Sequence, residues 1–88
     1  MAGHPLFRNA DRPGTLTVRW RTLPASSHRP VTVTVVHPDG TPGRLDGMCL
    51  AWTVDRRLAL VDVYVGTERH PAVFRVEDVT PRVPDGQG

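Results

Sequence analysis

Between Val31 and Val79 the chain reads as short apolar runs, VTVTVV, MCLAWTV, LALVDVYV and AVFRV, separated by HPDGTPG, DRR and GTERH. Val31, Val33 and Val35 share one parity and Thr32 and Thr34 the other, the period of two that puts alternate side chains on opposite faces of a strand. The β-branched density of this run favours a pleated strand over a helix. His37-Pro38-Asp39-Gly40 suits a type I turn, with Pro at the second position, Asp at the third and Gly at the fourth. A second pair, Pro42-Gly43, lengthens that loop. The final run sets Ala72, Phe74 and Val76 against Val73, Arg75 and Glu77, and residues 77–81 read as a turn into a terminal strand stub with Val79 tucked inward.

Upstream, Thr15–Leu23 alternates cleanly: Leu16, Val18 and Trp20 on one face, Thr17, Arg19 and Arg21 on the other. PASSHRP then breaks the pattern and returns the chain. Residues 1–14 are polar with Pro5, Pro13 and Gly14, and predict a flexible arm in which Leu6 and Phe7 are the candidates for docking. The Pro/Gly-rich stretch 82–88 predicts a disordered tail. The domain itself is expected over residues 15–81.

Two runs do not alternate polar with apolar. In Leu58–Val65 the parity Ala59, Val61, Val63, Val65 is purely apolar, and Leu60, Asp62 and Tyr64 stand opposite. Burying Asp62 unpaired is expensive, so the valines face the core and Leu60 and Tyr64 face out. In Met48–Val54 two orientations are open. With Met48, Leu50 and Trp52 outward, they form with Leu60 and Tyr64 a contiguous apolar patch of the kind that marks protein interfaces. With Leu50 and Trp52 inward, the small Cys49 and Ala51 face solvent. A helix over Leu45–Ala59 fails, because its apolar residues are consecutive or two apart rather than three and four apart.

These elements predict an all-β fold, a five-stranded antiparallel small barrel. The long first return, the tight later hairpins and the segments G-x-x-L-A-W (Gly47–Trp52) and F-R-V-E-D-V (Phe74–Val79) resemble the SH3-like small β-barrel. They are similar in particular to small uncharacterised SH3-like proteins of high-GC bacteria, plasmids or phages. The resemblance spans Thr15–Pro81 and implies a single 3₁₀ turn at Val76-Glu77-Asp78-Val79 before the last strand. The acidic and aromatic groove with which peptide-binding SH3 domains hold proline ligands is not recognisable, so no binding residue is carried over.

At 88 residues there is room for one domain with a thin core, to whose stability a partner or second copy matters. One cysteine, Cys49, excludes an internal disulfide framework. With no signal-like N-terminus and no apolar run near the ~20 residues a membrane helix needs, a cytoplasmic location without membrane contact is expected. All eleven basic residues are arginine, which a GC-rich codon bias explains more simply than selection for guanidinium forks. Charge is uneven: five arginines against one aspartate in residues 1–30, three arginines against five acids in residues 59–88.

Candidate chemistry is sparse. Ser26, Ser27 and His28 are adjacent, which is not a triad, and Cys49 sits mid-strand where a small core residue belongs. His4, His28, His37 and His70 lack ligand spacing on a shared element, and no glycine loop precedes a helix. No enzyme, metal or cofactor is expected. The sequence predicts a non-catalytic binding or adaptor module whose protein or self-association interface is Met48, Leu50, Trp52, Leu60 and Tyr64. The alternative is a nucleic-acid accessory protein using Arg19, Arg21, Arg29 and the Arg56-Arg57 hairpin on a phosphate backbone, with Tyr64 available to stack a base.

Overall fold

A computed structural model describes residues 3–13, 20–24 and 28–82. Its strands are β1 (Trp20–Thr22), β2 (Arg29–Val36), β3 (Pro42–Thr53), β4 (Leu58–Val65), β5 (Glu68–Arg75) and β6 (Val79–Pro81), with a 3₁₀ turn at Val76–Asp78 before the last. All pair antiparallel in one sheet of order β5-β4-β3-β2-β6, with β1 beside β3. There are six strands rather than five, and strand pairing does not close them into a barrel. Of the first expected strand, Thr15–Leu23, only Trp20–Thr22 is seen as β1, since residues 14–19 lie outside the described residues, as do 83–88 of the expected tail.

The turns form for the reasons their residues supply. The Gly40 amide donates to the His37 carbonyl at 2.8 Å, and Gly40 holds a φ of 89°. Asp39 accepts from both the amide and the hydroxyl of Thr41, which holds its exposed carboxyl below the usual range. Gly66, at φ 61°, turns β4 into β5.

β3 is the spine of the sheet. One of its edges is shared by two strands: residues 42–49 pair with β2 and residues 51–53 with β1. The other edge pairs with β4. Two local features let β3 bend between these partners. At Gly47 an added Cβ would stand 2.7 Å from the Asp62 carbonyl oxygen and 2.8 Å from Val61 Cγ1, so the strands approach as only glycine permits. At Leu50 the register slips, from Cys49↔Val61 to Ala51↔Leu60, which makes Leu50 the extra residue of a β-bulge.

The bulge reverses the faces. Before it, Leu45, Gly47 and Cys49 lie on the core side; after it, Trp52 does, opposite the fully buried Ala59. The run Met48–Val54 therefore takes neither of the two orientations its alternation allows, because its parity switches partway. The β4 valines Val61 and Val63 face the core, and Leu60, Asp62 and Tyr64 lie half-buried on the other side.

Of the residues expected as a flexible arm, 3–13 are described, and they pack against the sheet. Phe7 and Ala10 are 2% and 4% exposed within the core cluster, where the Phe7 ring packs 5.8 Å from that of Phe74. Backbone bonds fix this strap to β5, at one end of the sheet, and to the stretch of β2 beyond its pairing with β6. Asp11 and Val73 exchange two bonds of 2.9 Å on the β5 edge, and the Arg8 amide donates to the Val36 carbonyl at 2.7 Å on β2. Asn9 completes the β2 contact, accepting from the Val36 amide at 2.9 Å and donating to the Thr34 carbonyl at 2.7 Å. The strap thus links β5 to β2, two strands that do not pair with each other.

Two stability changes test this arrangement. Phe7→Ala should cost about 3–5 kcal/mol in urea unfolding, the scale of a buried aromatic, where a loose arm would cost almost nothing. Gly47→Ala should cost about 1–3 kcal/mol, because its methyl meets backbone that cannot move aside.

Candidate functional site

The β3–β4 turn is built around one hydroxyl. Thr53, 3% exposed, donates through Oγ1 to Asp55 Oδ1 at 2.6 Å and accepts from the amides of Leu58 at 3.0 Å and Arg57 at 3.2 Å. Asp55 also accepts from the Arg57 amide at 3.0 Å. Those bonds, the Thr53 hydroxyl first, hold the Asp55 carboxyl below its usual range. The turn is closed by the Arg56 amide on the Thr53 carbonyl at 2.9 Å.

So fixed, the turn pushes Val54 and Arg56 outward. Val54 is 65% exposed, the most exposed of the large hydrophobic residues described. Arg56 has a φ of 60°, the left-handed region that a side chain enters only at a cost of about 1–2 kcal/mol. Both line a cleft of about 680 Å³ at the end of the sheet, with Arg21 and Leu23 from the β1 side, Trp52 and Thr53 from β3, and Val76 from the 3₁₀ turn. Cross-strand pairing puts Arg21 directly opposite Trp52. No carboxylate lines this cleft, and neither Arg21 nor Arg56 has an ion-pair partner among the described residues.

A second cleft, about 700 Å³, continues past the turn and is lined by Asp55, Arg57, Arg75 and Glu77 among others. Four of its charges fall in two pairs, Arg57 3.9 Å from Asp55 and Arg75 3.8 Å from Glu77, and Arg56 lines this cleft as well as the first. These are exposed pairs of little energetic weight, but they make this stretch electrostatically mixed.

The five residues expected to form one apolar patch are divided. Trp52 packs against the core and opens into the cleft. Leu50 is the bulge residue. Met48, Leu60 and Tyr64 lie on the opposite face, where Met48 stands in a row with Pro30, Asp62 and Pro71, and Leu60 in a row with Ala51 and Val73. All five are half-buried, and the Arg69 guanidinium lies 5.3 Å from the Tyr64 ring centre. The bulge accounts for the split, since a one-residue insertion moves every later side chain to the other face.

The arginines are also divided. Arg21 and Arg56 meet in the first cleft, Arg56 and Arg57 line the second, and Arg29 is exposed at the start of β2. Arg19 lies outside the described residues, as do Ser26 and Ser27. Leu23, Val54 and Val76 are site residues that patterning missed. A positive φ at an arginine, the signal that would have found Arg56, is not written in the sequence.

Cys49 is buried, with its thiol pushed up by desolvation and its S–H directed to the Ala51 carbonyl at 3.7 Å. His28 bonds the Leu23 carbonyl at 3.1 Å, and His70 pairs with Glu68 at 3.1 Å. Among the described residues no three His, Cys, Asp or Glu side chains converge, and no helix is long and apolar enough to cross a membrane. Compared with family models, curated proteins and solved structures, the chain matches none.

Replacing Thr53 by Val keeps its shape and removes the hydroxyl. The loss should lower stability by about 1–3 kcal/mol and raise the Asp55 carboxyl toward its ordinary range in an NMR pH titration, with the Arg57 amide still holding it down in part. In the intact protein the depressed Asp55 contributes stability above its unfolded pKa of 3.8, lost as pH falls through the lower folded value. The variant should show less of that acid-side loss.

Proposed function

We propose that the chain is a non-catalytic, cytoplasmic binding module of SH3-like build, and that it binds an extended peptide segment of a protein partner in the cleft between β1, the β3–β4 turn and the 3₁₀ turn. The SH3-like reading draws support from the strand order β5-β4-β3-β2-β6 and from the 3₁₀ turn at Val76–Asp78. The observation that carries the binding site is Arg56. A turn residue at φ 60° is least costly as glycine or asparagine, yet an arginine with no ion-pair partner among the described residues is held there, lining the cleft with Trp52 and Arg21. An aromatic body, exposed Val54 and two guanidinium groups without an ion-pair partner among the described residues fit an apolar residue flanked by a carboxylate.

The nucleic-acid reading draws on the same two arginines, with Trp52 rather than Tyr64 as the stacking ring. It is weaker, because a phosphate backbone running on into the second cleft would meet Asp55 and Glu77.

The discriminating variant is Arg56→Gly. It should leave unfolding stability within about 1 kcal/mol, because strain relief and unfolded-state entropy oppose each other. It should weaken the binding of an acidic-apolar peptide by about ten-fold or more. Amide and indole shifts on titrating that peptide should centre on Trp52, Val54, Arg56 and Val76. Shifts centred on Met48, Leu60 and Tyr64 would move the site to the opposite face, and oligonucleotide binding that falls steeply with salt would favour the alternative.

A further inference from the structure

The strap carries a histidine whose two ring nitrogens are both committed. The Leu6 amide donates to His4 Nδ1 at 3.1 Å, so that nitrogen is an acceptor without a proton. His4 Nε2 stands 3.2 Å from the Pro71 carbonyl oxygen on β5, which only accepts, so the proton of the neutral ring resides there. The partners therefore specify one state, the neutral Nε2–H tautomer. In that state His4 ties the strap to β5, and its ring stacks on Phe7 at 5.0 Å, on the side chain that fills the core.

A second proton has no place in this arrangement. It would go to Nδ1 and set an N–H against the Leu6 N–H, exchanging a hydrogen bond for a repulsion. The surroundings act in the same direction. Burial, with the nearby His70 and Arg12, holds His4 below the ordinary histidine value of 6.5, and these outweigh the Pro71 carbonyl that favours the charged ring. His70 is itself paired with Glu68. The other charged groups at the strap are Arg8 and Asp11 on its own backbone and Asp78, which accepts from Asn9 at 3.3 Å.

We infer that His4 is an acid-sensitive latch: protonation of its ring releases the strap of residues 3–13 from β5 and β2 and opens the face of the core that Phe7 covers. The sign comes from linkage. A histidine depressed in the docked state binds fewer protons there than when released. Docking is thus at full strength above the ordinary pKa of 6.5 and weakens as pH falls from 6.5 through the lower docked-state value. The window coincides with mild acidification, where few other side chains change charge.

Amide exchange on the intact chain reads the latch. Between about pH 7.5 and about pH 5, protection of the Arg8 and Asp11 amides, corrected for intrinsic rates, should fall several-fold, while β3 and β4 amides keep theirs. His4→Gln, whose amide can accept from Leu6 and donate to Pro71, should keep the strap docked and flatten that pH dependence, and His70→Gln should retain it. An unchanged profile in His4→Gln, or a His4 ring that titrates at or above the ordinary histidine value in the folded protein, would overturn the latch. Direct titration of the His4 ring in the unaltered chain decides the matter even where the variants fold poorly.

Discussion

The bend in β3 is the constraint on which the rest of this fold depends. A strand of twelve residues pairs along one edge with β2 and β1 in succession, and along the other with β4. A straight strand cannot hold both halves over one small core. Gly47 removes the side chain where β3 and β4 press together, and the bulge at Leu50 adds the turn that brings β1 and Trp52 over the end of the sheet. Without the bulge, Trp52 would fall on the same face as Met48 and the cleft would lose its floor. The site is thus a consequence of the bend, and its apolar wall is a core residue seen from its open side.

Legibility in the sequence depends on how local each signal is. β2, β4 and β5 are readable because alternation and β-branching are local, and the turn at His37–Gly40 because its chemistry is confined to four residues. The 3₁₀ turn at Val76–Asp78 lies where the F-R-V-E-D-V resemblance places it. The face reversal inside Met48–Val54 is not readable. A bulge leaves no mark in a run that is apolar at both parities, so either uniform orientation is acceptable on pattern alone and neither is right. The strap is readable only in part: Leu6 and Phe7 stand out as docking candidates in a polar, proline-bearing stretch, but nothing local says that Phe7 fills a core built by residues far along the chain.

The cleft shows the same limit in another form. Arg21, Trp52 and Arg56 each stand out in the sequence, but two as charge and one as apolar surface, so they point to two separate functions. Pairing of β1 with β3 puts Arg21 across from Trp52, and the turn built on Thr53 carries Arg56 to the same opening. Neither fact has a local sequence signature. The chemistry is present in the residues, and the topology decides which of them act together.

The strap and the cleft lie in different parts of the sheet, yet one row of side chains runs between them. Phe7 packs on Phe74, Phe74 stands opposite Ala59, and Ala59 stands opposite Trp52. Ala59 is fully buried and stands in the row between the aromatic residues of β5 and β3. A core this thin has few other contacts to absorb a change. Withdrawing Phe7 would remove one of the side chains packed on Phe74. In so small a domain the strap that completes the core and the strand that lines the cleft adjoin the same buried residues.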